Sequence, residues 1–298
     1  MGALRDSRFG RVLTAMITPF DGDGRIDLDG AQRLAAWLVD HGSDGLVVNG
    51  TTGESPTLTA TESVDLFRAV RQAVDVPVIA GTGSNDTAHA IRQSEAAAGI
   101  GVDGLLVVTP YYNKPSQAGL LRHFRMVAEA TTLPVIVYDI PGRTSRKVDT
   151  DTLLTLAREV PTIVGLKDAA GSPAETASLI AQAPEDFDVY SGDDNLTLPL
   201  LAVGARGVIS VASHWTGTHI RAMFDAFDAG DVAEAMRINQ ALLPSYAFES
   251  TLDAPNPVPT KAMLRALGLP AGECRPPMGP TPDGLEVQAK ELWESLGG

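Results

Sequence analysis

The 298-residue sequence predicts an α/β fold, a (β/α)8 or TIM barrel with a C-terminal helical extension. Three observations carry that prediction. Eight short apolar runs recur along the chain. An amphipathic stretch separates each run from the next, and chemically able side chains collect just after the runs. Alternating strands and helices imply a parallel sheet, and eight such units imply closure into a barrel, which typically takes about 250 residues.

The predicted strands are 12–18, 45–49, 76–80, 104–109, 135–138, 163–167, 188–191 and 207–211. The predicted helices between them are 28–40, 61–74, 87–98, 117–130, 150–159, 174–182 and 196–203. Several helix starts carry their own signals. Thr59-Ala60-Thr61-Glu62 has the spacing of a capping box, Asp86 or Thr87 is placed to cap the third helix, and Ser116 the fourth. After the eighth strand, helices are expected near 232–241, 259–267 and 284–296, with Pro255, Pro257 and Pro259 punctuating the segment. No linker or low-complexity segment divides the chain, so the barrel is placed at 1–222 and the extension at 223–298.

An open doubly wound sheet with a helical tail is the competing fold. It needs a glycine-rich loop after its first strand. Here that strand runs into Thr18-Pro19-Phe20-Asp21-Gly22, Gly81-Thr82-Gly83 lacks the third glycine of a dinucleotide fingerprint, and there is no P-loop. Nucleotide binding is therefore not expected.

The net charge of −14 argues against a nucleic-acid partner, which requires a positive field. One cysteine, Cys274, precludes an intrachain disulfide and fits a reducing compartment; it reads as a surface or packing thiol. The opening Met1-Gly2-Ala3-Leu4-Arg5-Asp6 lacks a signal peptide's apolar core, and Gly2 is only a weak myristoylation signal. No apolar run is long enough to span a bilayer. A soluble cytoplasmic protein without membrane association is expected. The five histidines form no His-Glu-x-x-His, and no acid or histidine cluster has metal-ligand spacing, so no metal or cofactor is expected. A serine-hydrolase elbow is also missing.

In a barrel the strand C-termini build the active site. Lys167 ends the sixth run, Thr162-Ile163-Val164-Gly165-Leu166, ahead of Asp168 and the turn at Gly171 and Pro173. Burial favours a neutral amine, and a neutral amine attacks ketones; the competing reading is a lysine paired with Asp168 or reaching the surface. Tyr138 ends the fifth strand, where it would stand beside Lys167, and Arg143 follows it with a planar fork suited to a carboxylate. Gly50-Thr51-Thr52-Gly53-Glu54-Ser55 offers hydroxyls and accessible N–H groups as a carboxylate cradle, with Glu54 expected to hold the loop by hydrogen bonds. Tyr111 and Tyr112 follow the fourth strand, and such a pair is often an interface signature. Lysine, tyrosine and threonine at barrel mouths point to Schiff-base chemistry, with Tyr138 shuttling protons.

These residues, taken as Gly50–Ser55, Tyr111-Tyr112-Asn113-Lys114-Pro115, Tyr138-x-x-Pro141-Gly142-Arg143-Thr144, Gly165-Leu166-Lys167-Asp168 and Ser191-Gly192-Asp193-Asp194, resemble the dihydrodipicolinate synthase/N-acetylneuraminate lyase superfamily, in particular its dihydrodipicolinate synthase branch and its actinobacterial members. The resemblance continues to Asn256-Pro257-Val258-Pro259-Thr260-Lys261. It implies that Lys167 forms an imine with pyruvate. It also implies a proton relay of Tyr138, Thr51 and Tyr112, with Tyr112 supplied by a neighbouring subunit. Thr52 would hold the pyruvate carboxylate, Arg143 the carboxylate of aspartate semialdehyde, and main-chain groups at Gly192 and Ile209 would line the pocket. The implied activity is condensation of pyruvate with L-aspartate 4-semialdehyde to 4-hydroxy-tetrahydrodipicolinate, on the way to diaminopimelate and lysine, in a homotetramer.

The chain departs from the superfamily pattern at Asp139, where asparagine is frequent, and at Thr260, where valine more often precedes the lysine. Ala60, Ser63 and His89 stand where lysine-sensitive members carry histidines and a glutamate, which implies weak or absent inhibition by lysine. The alternative activities are N-acetylneuraminate lyase or a 2-keto-3-deoxy sugar acid aldolase, which share Lys167 and Tyr138. A noncatalytic small-molecule sensor on the same barrel is the more distant alternative. It would be expected to lose the lysine or the relay.

Overall fold

In the computed structural model, residues 7–297 are described. The expectations for the opening Met1-Gly2-Ala3-Leu4-Arg5-Asp6 lie outside them. Strands and helices alternate as β1 Val12–Ala15, α1 Leu28–Asp40, β2 Gly45–Val48, α2 Ala60–Ala73, β3 Val78–Gly81, α3 Thr87–Ile100, β4 Gly104–Val108, α4 Gln117–Glu129 and β5 Val135–Asp139. They continue as α5 Pro141–Thr144, α6 Thr150–Glu159, β6 Ile163–Asp168, α7 Pro173–Ile180, β7 Asp188–Ser191, α8 Thr197–Ala202 and β8 Gly207–Ser210. The remaining helices are α9 Ser213–Asp228, α10 Val232–Phe248, α11 Val258–Ala266 and α12 Leu285–Ser295. The strand order is that of a closed barrel running from β1 to β8, as the alternation in the sequence predicts.

One compact unit comprises residues 12–76 and 210–297. In it β1 pairs parallel with β2, with Leu13 opposite Gly45 and Ala15 opposite Val47. Helices α1 and α2 bury Leu34, Leu38, Leu66, Phe67 and Val70. The predicted capping box is formed: Glu62 N–H donates to Thr59 Oγ1 and Thr59 N–H to Glu62 Oε2. β1 ends at Ala15 rather than at residue 18: Met16 N–H still donates to Val47 O at 3.0 Å, but a side chain takes the next N–H and the ladder stops. Ile17 N–H donates to His214 Nε2 at 3.1 Å and Thr18 Oγ1 to Gly53 O at 2.6 Å.

Helix α9 is absent from the sequence expectation, and it carries the chain straight across residue 222. Its first turns hold Trp215, Thr216, Gly217 and Thr218, which are weak helix formers, and tertiary burial overrides them. Gly217 lets two backbones meet, because a Cβ there would lie 2.4 Å from His41 O. Trp215 Nε1–H donates to Ser245 Oγ on α10 at 3.0 Å. Helix α10 likewise passes the expected stop at residue 241 and includes Pro244, with Leu242, Ser245 and Tyr246 buried around the missing N–H. Cys274 packs beside a small apolar cluster of Ala254, Val258, Ala262 and Leu285, and burial pushes its thiol up to about 12, the behaviour of a packing thiol.

The other unit comprises residues 7–11 and 77–209. Strands β3 through β8 pair in parallel, each with the next, and the strand residues are almost wholly buried. Burial on both faces explains why these strands read as continuous apolar runs. The remaining strand ends lie within two residues of their predicted positions. A short helix, α5, forms where a loop was expected after β5. Thr144 Oγ1 closes it, donating to Ile140 O or Arg146 O. Among the described residues no helix is long and apolar enough to cross a membrane.

Candidate active site

In the unit of residues 77–209, the register of β5 against β6 sets the chemistry. Tyr138 is the partner of Lys167, and Asp139 of Asp168. Alternate residues of a strand face opposite sides, so the two rungs point in opposite directions. On the first, Lys167 is only 5% exposed and its Nζ lies 4.3 Å from the centroid of the Tyr138 ring. On the second, the Asp168 carboxylate accepts from Thr176 Oγ1 at 2.6 Å and from Ala170 N–H at 2.9 Å. Asp139 accepts from Val148 N–H at 3.2 Å. Burial pushes the Asp139 carboxyl up to about 7; the Val148 N–H and Lys147 oppose the rise, and Asp168 adds to it.

The end of β7 shapes the lysine. Gly192 donates its N–H to Asp168 O at 2.7 Å, and a Cβ there would sit 3.0 Å from Lys167 Cγ and 3.0 Å from Ala169 Cβ. A side chain at this position would crowd the lysine stem, and glycine leaves it room. Asp193 is raised by burial and by Asp194, while the charge of Lys167 pulls it down, so this carboxyl and the amine interact electrostatically.

The other predicted residues of this unit lie at strand ends or in the loops after them. Thr109, the residue after β4, donates through N–H and Oγ1 to Tyr138 O at 2.9 and 3.0 Å, anchoring the tyrosine's backbone. Tyr112 is 89% exposed and holds a left-handed φ of 73°, an unusual conformation for a bulky residue. Arg143 is exposed on α5, and Ile209 is buried in β8.

In the unit of residues 12–76 and 210–297, the loop after β2 is tightly bound. Glu54 N–H donates to Thr51 O at 3.0 Å, and Glu54 itself has a left-handed φ of 57°. Thr52 is buried, and its Oγ1 accepts from Asn256 Nδ2 at 2.9 Å. Thr51 is half-buried. Glu54 holds the loop, as expected, but through partners far along the chain. Arg275 N–H donates to its Oε2 at 2.9 Å, and Lys261 Nζ lies 2.6 Å from its Oε1.

A family model described as the dihydrodipicolinate synthetase family matches residues 8–294. The chain belongs to the dihydrodipicolinate synthetase family. It is 54% identical to the 4-hydroxy-tetrahydrodipicolinate synthase of Moorella thermoacetica, over 97% of this chain and 99% of that one. It is 53% identical to 4-hydroxy-tetrahydrodipicolinate synthase 2 of Streptomyces coelicolor, over 93% and 92%. Among solved structures, the dihydrodipicolinate synthase of Cyanidioschyzon merolae with lysine bound superposes with a TM-score of 0.95 at 44% identity, covering 98% of this chain and 99% of that one.

Within this member of the dihydrodipicolinate synthetase family, three residues that the sequence reading gave no role stand close to the predicted ones: Asp193, Asn256 and Lys261. Lys261 left a readable signal. It lies in an apolar helical stretch from Val258 to Leu264, where a charge demands a buried partner. Nothing in the linear sequence names that partner as Glu54.

Proposed function

We propose that this chain condenses pyruvate with L-aspartate 4-semialdehyde to form 4-hydroxy-tetrahydrodipicolinate, through a Schiff base on Lys167. The observation that carries this reading is the burial of Lys167 with its amine over the Tyr138 ring. The lysine amine adds to the ketone of pyruvate and water leaves, giving an iminium. The iminium draws electrons from the adjacent methyl carbon, which loses a proton and becomes an enamine. That carbon attacks the aldehyde. The amino group of the second substrate then adds to the iminium carbon and expels Lys167, closing the ring.

Tyr138 carries protons in and out of these steps, with Thr51 and Tyr112 completing the relay. The exposure of Tyr112 supports its donation to a neighbouring subunit of a homotetramer. Thr52 holds the pyruvate carboxylate, Arg143 that of the semialdehyde, and the main chain at Gly192 and Ile209 lines the pocket. Of the described residues, those after 222 serve as a supporting extension to the barrel, the division falling within α9. The reaction needs no metal or cofactor and takes place in the cytoplasm, as the lone Cys274 and the lack of a long apolar helix among the described residues support. Lysine is a weak inhibitor or none, given Ala60, Ser63 and His89.

The test is turnover of pyruvate with aspartate semialdehyde, coupled to a reductase that consumes the cyclic product. Turnover that vanishes in Lys167→Ala supports the reading. A folded protein that traps pyruvate on Lys167 under borohydride but does not turn over the semialdehyde would instead be a sugar-acid aldolase. One that traps nothing would be a sensor.

A further inference from the structure

Asn256 and Lys261 have no place in the chemistry just proposed, yet both reach the loop that carries Thr51 and Thr52. Lys261 is 0% exposed. Its Nζ lies 2.6 Å from Glu54 Oε1, 3.1 Å from Glu273 O and 4.0 Å from the centroid of the Phe20 ring. Burial lowers the pKa of this amine while Glu54 opposes the shift. Taking two charges out of water is costly, and replacing such a pair with apolar residues is often neutral or stabilising. A fully buried ion pair is therefore weak evidence of a stability device, and its geometry invites another explanation.

That geometry bears on a strained turn. Glu54 is a non-glycine residue at φ 57°, in a conformation that L side chains adopt only when the surroundings impose it. Its surroundings hold it there: Lys261 at one carboxylate oxygen, Arg275 N–H at the other, and Thr57 N–H and Oγ1 on its carbonyl at 2.9 and 3.0 Å. Its own N–H reaches back to Thr51 O. Two residues before Glu54, the Thr52 hydroxyl accepts from Asn256 Nδ2, which leaves the hydroxyl hydrogen free to be directed elsewhere. Asn256 lies two residues ahead of α11, and Lys261 lies within that helix.

We infer that Asn256 and the Lys261–Glu54 pair are positioning residues, through which the segment around α11 sets the orientation of the Thr51–Thr52 turn toward the carboxylate of the bound keto acid. This rests on the role proposed above for Thr52. Asn256 orients a hydroxyl, and the ion pair holds the backbone from which that hydroxyl projects. Loss of either therefore weakens keto-acid capture without touching Lys167.

The deciding experiment reads pyruvate capture directly. Intact-mass analysis of the borohydride-reduced adduct on Lys167, over a pyruvate titration, gives the half-saturating concentration for the parent chain and for Asn256→Ala. A rise of about tenfold in that concentration, the effect of losing one oriented hydrogen bond, with the same maximal adduct and the same thermal midpoint, supports the inference. In the coupled assay the KM for pyruvate should rise in step while the KM for the semialdehyde stays put, a split that a merely structural residue would not produce. Glu54→Gln/Lys261→Met, which removes both buried charges together, provides a second variant and should show the same selective loss. Unchanged half-saturation in folded Asn256→Ala overturns the inference and leaves the proposed function standing. A parent chain that captures no pyruvate refutes the proposed function, and the inference falls with it.

Discussion

Lys167 and Tyr138 are register partners on neighbouring strands, and the lysine's Nζ lies 4.3 Å from the centre of the tyrosine ring. The pairing places a tyrosine ring beside the amine that forms the proposed Schiff base. Phenylalanine keeps the ring and removes only the hydroxyl. Tyr138→Phe should therefore fold as the parent does and lose turnover by roughly 10²-fold or more, the usual worth of a proton-transferring side chain. Steady-state kinetics checks this, and a loss under about threefold would remove Tyr138 from the relay.

Arg143 stands exposed on α5, away from the Tyr138–Lys167 rung in sequence but directly after its strand. Arg143→Ala should raise the KM for the semialdehyde by about 10²-fold, consistent with the loss of a charge-assisted bidentate contact, while pyruvate capture on Lys167 persists. Equal damage to both substrates would refute the assigned role.

Gly192 touches the stem of Lys167. An added methyl would meet Lys167 Cγ at 3.0 Å and Asp168 O at 3.1 Å, closer than ordinary contact. Gly192→Ala should therefore displace the lysine. Adduct formation should slow about tenfold or more, with a stability cost of about 1–3 kcal/mol from overpacking. Stopped borohydride trapping and thermal melting measure the two effects separately, and a trapping rate equal to the parent's would show that the stem has room.

Asp139 carries a pH signature. Burial raises its folded-state pKa from 3.8 to about 7, so the folded chain binds a proton that the unfolded chain releases. Stability from this group is greatest at low pH and declines as pH rises between 3.8 and about 7, above which the penalty is constant. Asp139→Asn retains an acceptor for Val148 N–H and removes the titration. Its melting temperature should match the parent's near pH 4 and exceed it above about pH 7. Melts across that range check the sign, and parallel curves would show that Asp139 ionises freely.

Lys261 and Glu54 should behave as a coupled pair. Lys261→Met strands a buried carboxylate and should cost about 3–5 kcal/mol, whereas adding Glu54→Gln should recover most of that loss. Denaturant melts of the singles and the double complete the cycle. Additive effects would mean that the two side chains do not interact.

The sequence by itself determined the alternation of strand and helix, because a buried parallel strand must be apolar on both faces and its covering helix on one. It also determined that Lys167, Tyr138, Thr51, Thr52 and Arg143 fall at or just after strand ends, since that placement is a matter of linear order. Tertiary structure alone decided the rest. The register that sets Tyr138 against Lys167 depends on how β5 and β6 slide before pairing, and a slip of one residue would have brought Asp139 to the lysine. Helix α9 forms against its own weak propensities because burial of Trp215, Ile220 and Phe224 outweighs them. The partners of Thr52 and Glu54 come from Asn256 and Lys261, some 200 residues further along. Local pattern carries no record of contacts at that separation; they exist only once folding has removed both ends from water, and a buried charge then has to find its counterpart.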